Sequence, residues 1–300
     1  MEKTHGPNIS VTRGGTQEVP RRKSWRFATA LWISLAAVTA GLLILPSVAQ
    51  AADRLTDKEV QDLLASVENT RSKFEAALDK GLKNTVIQGA RGDVNTNEFF
   101  DDLQDQVERT RERFKKDYSA SSEVIALLGY GTRLEVWVKK QRVGFQGSSE
   151  WTPFAADLHR LAKAYNTTIP MPNGGIARRY NDSELITAAA NVEKMVDPFR
   201  HELDLSLTGK QGLSPANHQA TLAQVDTLKS HSHALNQSLA NNGKGVAEAD
   251  ALIRQALIIV DWISKNPLSA TTNVKWAPLR RELGKIAFAY EVNNRNLPVQ

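Results

Sequence analysis

Trp151-Thr-Pro153-Phe-Ala-Ala-Asp-Leu158-His-Arg-Leu-Ala162-Lys-Ala164-Tyr165 and Trp276-Ala-Pro278-Leu-Arg-Arg-Glu-Leu283-Gly-Lys-Ile-Ala287-Phe-Ala289-Tyr290 decide the fold of this chain. The two stretches stand 125 positions apart; six of their fifteen residues are identical and four more are conservative. Read outward at that offset, Trp137 pairs with Trp262, Phe74 with Phe199, Val67-Glu68 with Val192-Glu193 and Leu78-Asp79 with Leu203-Asp204. Residues 55–79 and 180–204 agree at eight of twenty-five positions, where unrelated sequences of ordinary composition would agree at roughly one or two. Residues 55–165 therefore recur without a gap as residues 180–290, and an internal repeat governs everything else that is read from a chain. The shared residues are apolar and aromatic groups at helical spacing, with a few acids near helix ends. A common packing scheme leaves such a subset, whereas a duplicated active site would have kept polar side chains.

The spacing predicts an all-α fold: a tandem duplication of one four-helix unit, giving two antiparallel bundles. Val60, Leu64, Val67, Arg71, Phe74 and Leu78 form one seam, matched by Leu185, Ala189, Val192, Val196, Phe199 and Leu203. Val196 in place of Arg71 predicts a peripheral position in at least one copy. Thr56 with Glu59, and Asn181 or Asp182 with Glu184, supply capping-box chemistry at the helix starts. The second helix follows Asn95-Thr96-Asn97 with a seam of Phe100, Leu103, Val107, Thr110 and Phe114; its counterpart is Val225, Leu228, Ser232, Leu235 and Leu239. Its mixed-charge outer face, Glu108 to Lys116, reads as solvated. The third helix, residues 121–142, is the most apolar, and Gly129 and Gly131 within it imply close packing or a bend. The fourth is expected to begin at Pro153 and at Pro278, with Trp151 and Trp276 closing over the first turn as hydrophobic staples. Residues 166–179 read as the linker between copies, residues 81–95 and 208–216 as surface loops, and residues 291–300 as a tail.

The leader has the order of an export signal. Residues 1–26 are polar, basic and expected to be disordered. Arg21-Arg22-Lys23-Ser-Trp-Arg26 then precedes an uncharged apolar run from Phe27 to Leu45, followed by Pro46-Ser-Val-Ala49-Gln50-Ala51. Residues 27–51 thus form the apolar and cleavage regions of a signal peptide, with cleavage after Ala51. The other reading is an uncleaved transmembrane anchor, since a helix of that apolar length nearly spans a bilayer. In both cases the bundles lie outside the cytoplasm, periplasmic or secreted if the leader is cleaved and tethered to the inner membrane if it is not. An apolar segment followed by helical bundles is similar in architecture to bacterial sensor input domains, a likeness that implies no function.

Composition narrows the chemistry. Net charge is +5, but the first 51 residues hold six Lys or Arg against two acids, which leaves 32 basic and 31 acidic residues beyond them. The basic pI belongs to the leader and does not point to a nucleic-acid partner. There are no cysteines, which excludes disulfides, thiolate metal sites and Cys nucleophiles. None of the five histidines beyond the leader has a histidine at its repeat partner, and His231 and His233 point to different sides of a helix. Asp101, Asp102 and Asp105 lie where a helix start favours acids. The reading is a non-enzymatic helical interaction or structural protein of a bacterial cell envelope, with no cofactor, no metal and an envelope protein as partner. The alternative is a ligand-binding or sensory bundle that holds a small apolar molecule between helices. Tyr130, Trp137, Trp151, Trp262 and Trp276 are the candidate ligand or partner surface.

Overall fold

A computed structural model describes residues 51–89, 92–172, 176–208, 213–292 and 297. The polar N-terminal region and the apolar segment, residues 27–45, lie outside the described residues; among those described, no helix is long and apolar enough to cross a membrane. The chain is mostly helical, in the order α1 (Asp57–Ala77), α2 (Lys80–Lys83), β1 (Val86–Gly89), β2 (Gly92–Asn95), α3 (Thr96–Arg113), α4 (Ser121–Lys139), α5 (Ser148–Ala164), α6 (Asp182–Thr208), α7 (Pro215–Ala240), α8 (Val246–Lys265) and α9 (Ala270–Ala289). Two apolar cores form, one inside α1, α3, α4 and α5, the other inside α6 to α9. In the first, α1 packs on α5 and α3; in the second, α6 packs on α9 and α7.

The seams are the reason. Val60, Leu64, Val67 and Phe74 on α1, and Leu185, Ala189, Val192, Val196 and Phe199 on α6, are fully buried. Each large apolar side chain contributes about 1.5–3 kcal/mol by leaving water, more than a helix cap's ~1 kcal/mol. Packing therefore holds the helices, and caps set where they begin. Thr56 and Glu59 make a complete capping box on α1, and Asn181 and Glu184 exchange the same pair of bonds on α6, at 2.7 and 2.8 Å.

The structure departs from the sequence expectation at several points. Arg71 is not peripheral: it is 4% exposed, and its guanidinium donates to Glu75 at 2.7 Å and to Gln104 Oε1 at 3.0 Å. The position is interior in both halves, filled by an apolar Val196 or by an arginine whose donors α3 helps to satisfy. The fourth helices do not start at proline. They start at Ser148 and Ala270, so Pro153 and Pro278 lie inside them. Gly147, at φ 102°, precedes the first, while Ser269 caps the second by accepting the Thr272 N–H. Trp151 and Trp276 therefore project from the helices themselves.

Residues 81–95 are not a plain loop. They hold the end of α2 and a two-stranded antiparallel hairpin in which Ile87 faces Val94 and Gly89 faces Gly92. Thr85 closes it by accepting the Thr96 N–H and hydroxyl. In the second half α6 runs to Thr208 and α7 starts at Pro215, so both ends of the corresponding interval are helical. The linker is packed rather than free: Ile169 and Ala177 belong to the first core, and the Arg178 N–H donates to the Tyr165 carbonyl at 2.9 Å.

Candidate functional site

The five aromatic residues singled out in the sequence do not assemble into one site. Trp151 lies 5.3 Å from the Phe74 ring and Trp276 5.1 Å from the Phe199 ring, so each half joins its first and fourth helices through the same aromatic pair. Trp137 and Trp276 are only 6% exposed. These are core contacts, as the alternation of large apolar groups on the helices requires. Tyr130 meets the Phe99 ring edge-on at 5.4 Å and carries Arg133 over its ring at 5.5 Å. It borders a polar groove with Glu98, Asp102, Asp105 and Arg109. Trp262 borders an apolar cavity.

That cavity is a cleft of about 480 Å³ in the second half. Leu203 near the end of α6, Thr221, Gln224 and Val225 on α7, and Ile259 and Trp262 on α8 form its walls. Val225 and Ile259 also belong to the core, so the floor is continuous with it. Gln224 is held in the wall by Gln255, whose amide donates to its carbonyl at 2.9 Å and to its Oε1 at 2.8 Å. Among the described residues, none that lines the cleft is charged. Its size lies within the range of small-ligand sites, which pair an apolar surface with a few polar groups.

A second arrangement joins the halves. Arg54 Nη2 donates to Asp182 Oδ1 at 2.5 Å, and Arg179 Nη2 to Asp57 Oδ1 at 2.6 Å. The Asp57 N–H donates to Asp182 Oδ2 at 2.9 Å and the Asp182 N–H to Asp57 Oδ2 at 3.0 Å. Each contact thus has a counterpart in which one partner moves 125 positions forward and the other 125 back. The tyrosines that end the repeats follow suit: Tyr165 donates to the Ser119 carbonyl at 2.5 Å and Tyr290 to the Lys244 carbonyl at 2.6 Å. Burial raises the Tyr165 hydroxyl pKa well above the usual phenol range and takes that of Tyr290 to about 12. Burial also raises Asp57, against the pull of Arg179. Both aspartates are engaged by a helix N-terminus and a guanidinium, an arrangement suited to holding the halves rather than to moving protons.

Sequence reading missed this junction. Arg54 and Arg179 lie one residue outside the repeat limits taken at 55 and 180, and Asp57 and Asp182 are identical within them. Extending the offset by one position would have found the set. Elsewhere, histidines face single carboxylates: His218 with Asp204 at 2.7 Å, His233 with Glu193 at 3.1 Å and His159 with Glu135 at 3.6 Å. Among the described residues, no three His, Asp or Glu side chains gather where a metal ion could be held. No protein-family model, curated protein or solved structure matches the chain.

Proposed function

We propose that this chain is an exported, non-enzymatic helical protein of a bacterial cell envelope that acts by binding a partner, and that its two halves are copies of one four-helix unit. The observation that carries the binding reading is the cleft beside Trp262, whose described lining residues are all uncharged. The halves share a core plan, including the Phe74–Trp151 and Phe199–Trp276 pairs, but among the described residues this apolar cleft belongs to the second half. A feature kept by one copy and not the other is where a duplicated scaffold acquires a role of its own. The reciprocal contacts of Arg54, Asp57, Arg179 and Asp182 support the duplication: they close as the self-complementary interface of a two-fold dimer does, here within one chain.

Export rests on the leader. Ala51 is 7% exposed, its N–H donates to Asp250 at 3.3 Å, and Ala52 donates to the Tyr290 carbonyl at 2.8 Å. Cleavage after Ala51 would leave the new α-amino group of Ala52 beside that carbonyl. Cell fractionation of the tagged full-length chain, with the intact mass of the product and crosslinking in the envelope, tests the proposal. A cytoplasmic product of uncleaved mass with no envelope crosslink would overturn it. The second reading, a small apolar molecule held between helices, is favoured by the size and apolar floor of the same cleft. Saturable binding of such a molecule, lost in Trp262→Leu, would establish it.

A further inference from the structure

A separate cavity of about 200 Å³ opens at the junction between the halves. Arg54 and Arg179, Ala164 and Ala289, and Asn166 and Glu291 line it, and the members of each pair stand 125 positions apart, so it lies where the two copies meet. Arg54, Arg179 and Tyr180, which also lines it, are 6%, 5% and 4% exposed. Each carries a buried donor without an acceptor: Arg54 Nη1, Arg179 Nε and the Tyr180 hydroxyl. Among the described residues five buried side-chain donors lack a partner, and three of the five belong to residues around this one small cavity. Folded proteins leave few such groups unbonded. The chain's own acceptors nearby are already engaged. Asp57 and Asp182 hold guanidiniums and N–H groups across the junction, and the Tyr165 and Tyr290 carbonyls accept from the Arg178 N–H at 2.9 Å and the Ala52 N–H at 2.8 Å.

Charge gives the cavity a direction. Asp182 and Asp57 balance Arg54 and Arg179, so the field at the mouth is set by Arg160 and Lys163 on α5, which line it as well. Arg160 comes no closer to Asp157 than 3.7 Å. Of the carboxylates on the described lining, Asp53 is paired with Lys244 at 3.1 Å, which leaves Glu291 as the opposing charge. The second half offers no matching cations. Phe288 stands at the position of Lys163 and packs edge-on against Tyr180, while Lys285, at the position of Arg160, bonds Glu282 at 2.7 Å. We infer that this cavity holds a small organic carboxylate, its carbon body against Leu55 and the Tyr180 ring and its oxygens toward Arg54, Arg179 and Lys163. A carboxylate brings two acceptor oxygens in the geometry of the guanidinium fork and one negative charge to meet the surplus of mouth cations over Glu291. An ammonium would meet donors where it needs acceptors, and a neutral apolar molecule would leave the buried donors unbonded.

The test is butanoate titrated into the full chain carrying isotope-labelled arginine, read at the Arg179 Nε–H resonance, which is identified by its loss in R179K. The expected result is saturable movement of that resonance with a dissociation constant on the order of 1 mM, as a ligand of so few atoms allows. The thermal midpoint should rise with butanoate concentration, because the ligand binds only the folded junction. Butanamide, which keeps the shape and lacks the charge, should do neither. Lys163→Met should weaken binding at least about threefold, and Glu291→Gln should strengthen it by about the same factor. Both side chains are exposed, so the midpoint without ligand should stay where it is in both variants. No movement up to about 20 mM butanoate, an equal response to butanamide, or an equal response to inorganic phosphate would overturn the inference. So would weaker binding in Glu291→Gln. No residue lines both this cavity and the cleft beside Trp262, so failure here would leave the reading of that cleft standing.

Discussion

Replacing Arg179 by Met tests the junction between the halves. The substitution keeps the aliphatic stem and removes a guanidinium that is 4% exposed and donates to Asp57 at 2.6 Å, to the Leu55 carbonyl at 3.0 Å and to the Tyr180 carbonyl at 3.2 Å. Asp57, whose side chain is 15% exposed, would keep the Asp182 N–H but lose its counter-charge. Breaking a buried pair from one side costs about 3–5 kcal/mol, because a charge is stranded in a poor solvent. For a domain of this size each kcal/mol lowers the midpoint by roughly 2–4 °C, so thermal unfolding should fall by about 6–20 °C. The pH dependence gives the sign. Burial already raises the Asp57 pKa in the folded state. An acid with a raised folded pKa favours folding when protonated and loses that contribution as pH rises through the folded value. Without Arg179 the folded pKa rises further, so the loss should be largest near neutral pH and shrink in acid. Arg54→Met should cost less, since Asp182 is 31% exposed. Urea unfolding of both variants at neutral and acidic pH measures this. A loss under about 1 kcal/mol, or one that does not change with pH, would refute the argument and place the junction among solvent-screened surface pairs.

Other perturbations bear on the cores. Gly129→Ala should stabilise by about 1 kcal/mol, since a Cβ there meets nothing within 4 Å and glycine is costly inside a helix. Gly131→Ala should lose that gain, because its Cβ would come within 3.1 Å of Leu158 Cδ1; chemical denaturation separates the two. Phe199→Ala should cost about 3–5 kcal/mol through loss of the buried ring against Trp276, and a change smaller than that of an exposed-site control would mean the pair is not structural. In an alkaline absorbance titration, Tyr165 and Tyr290 should ionise after Tyr118 and Tyr180. Their contribution to stability should be lost as pH rises from the ordinary phenol value through the raised folded ones, and Tyr290→Phe should remove the component near 12.

Periodicity made the helices legible. The seams of α1, α3, α6 and α7 were readable because burial of one face imposes the 3.6-residue rhythm, and every seam residue named on α7 is buried. The hairpin was harder to see. Val86-Ile87 and the glycines at 89 and 92 carry strand and turn signals, but each strand is four residues long and lies between helices. The prolines misplaced the fourth helices: Pro favours the first turn on average, yet the packing of Trp151 on Phe74 and Trp276 on Phe199 holds helix on both sides of it. Arg71 misled because arginine on a seam reads as an edge, when it can run its stem through the core and bond across to α3. The cleft was invisible for a different reason. Gln224 and Val225 line it where the first half has Phe99 and Phe100, and a smaller side chain becomes a cavity only when the neighbouring helices are placed.

The central claim is that the second half binds through its cleft. A photo-crosslinking residue at Thr221, on the cleft wall, in the full-length chain expressed in intact cells, tests it most directly. The account predicts a discrete envelope adduct at that position that disappears when Q224F and V225F fill the cleft in a chain that remains folded. No adduct, or an adduct indifferent to filling, would contradict it.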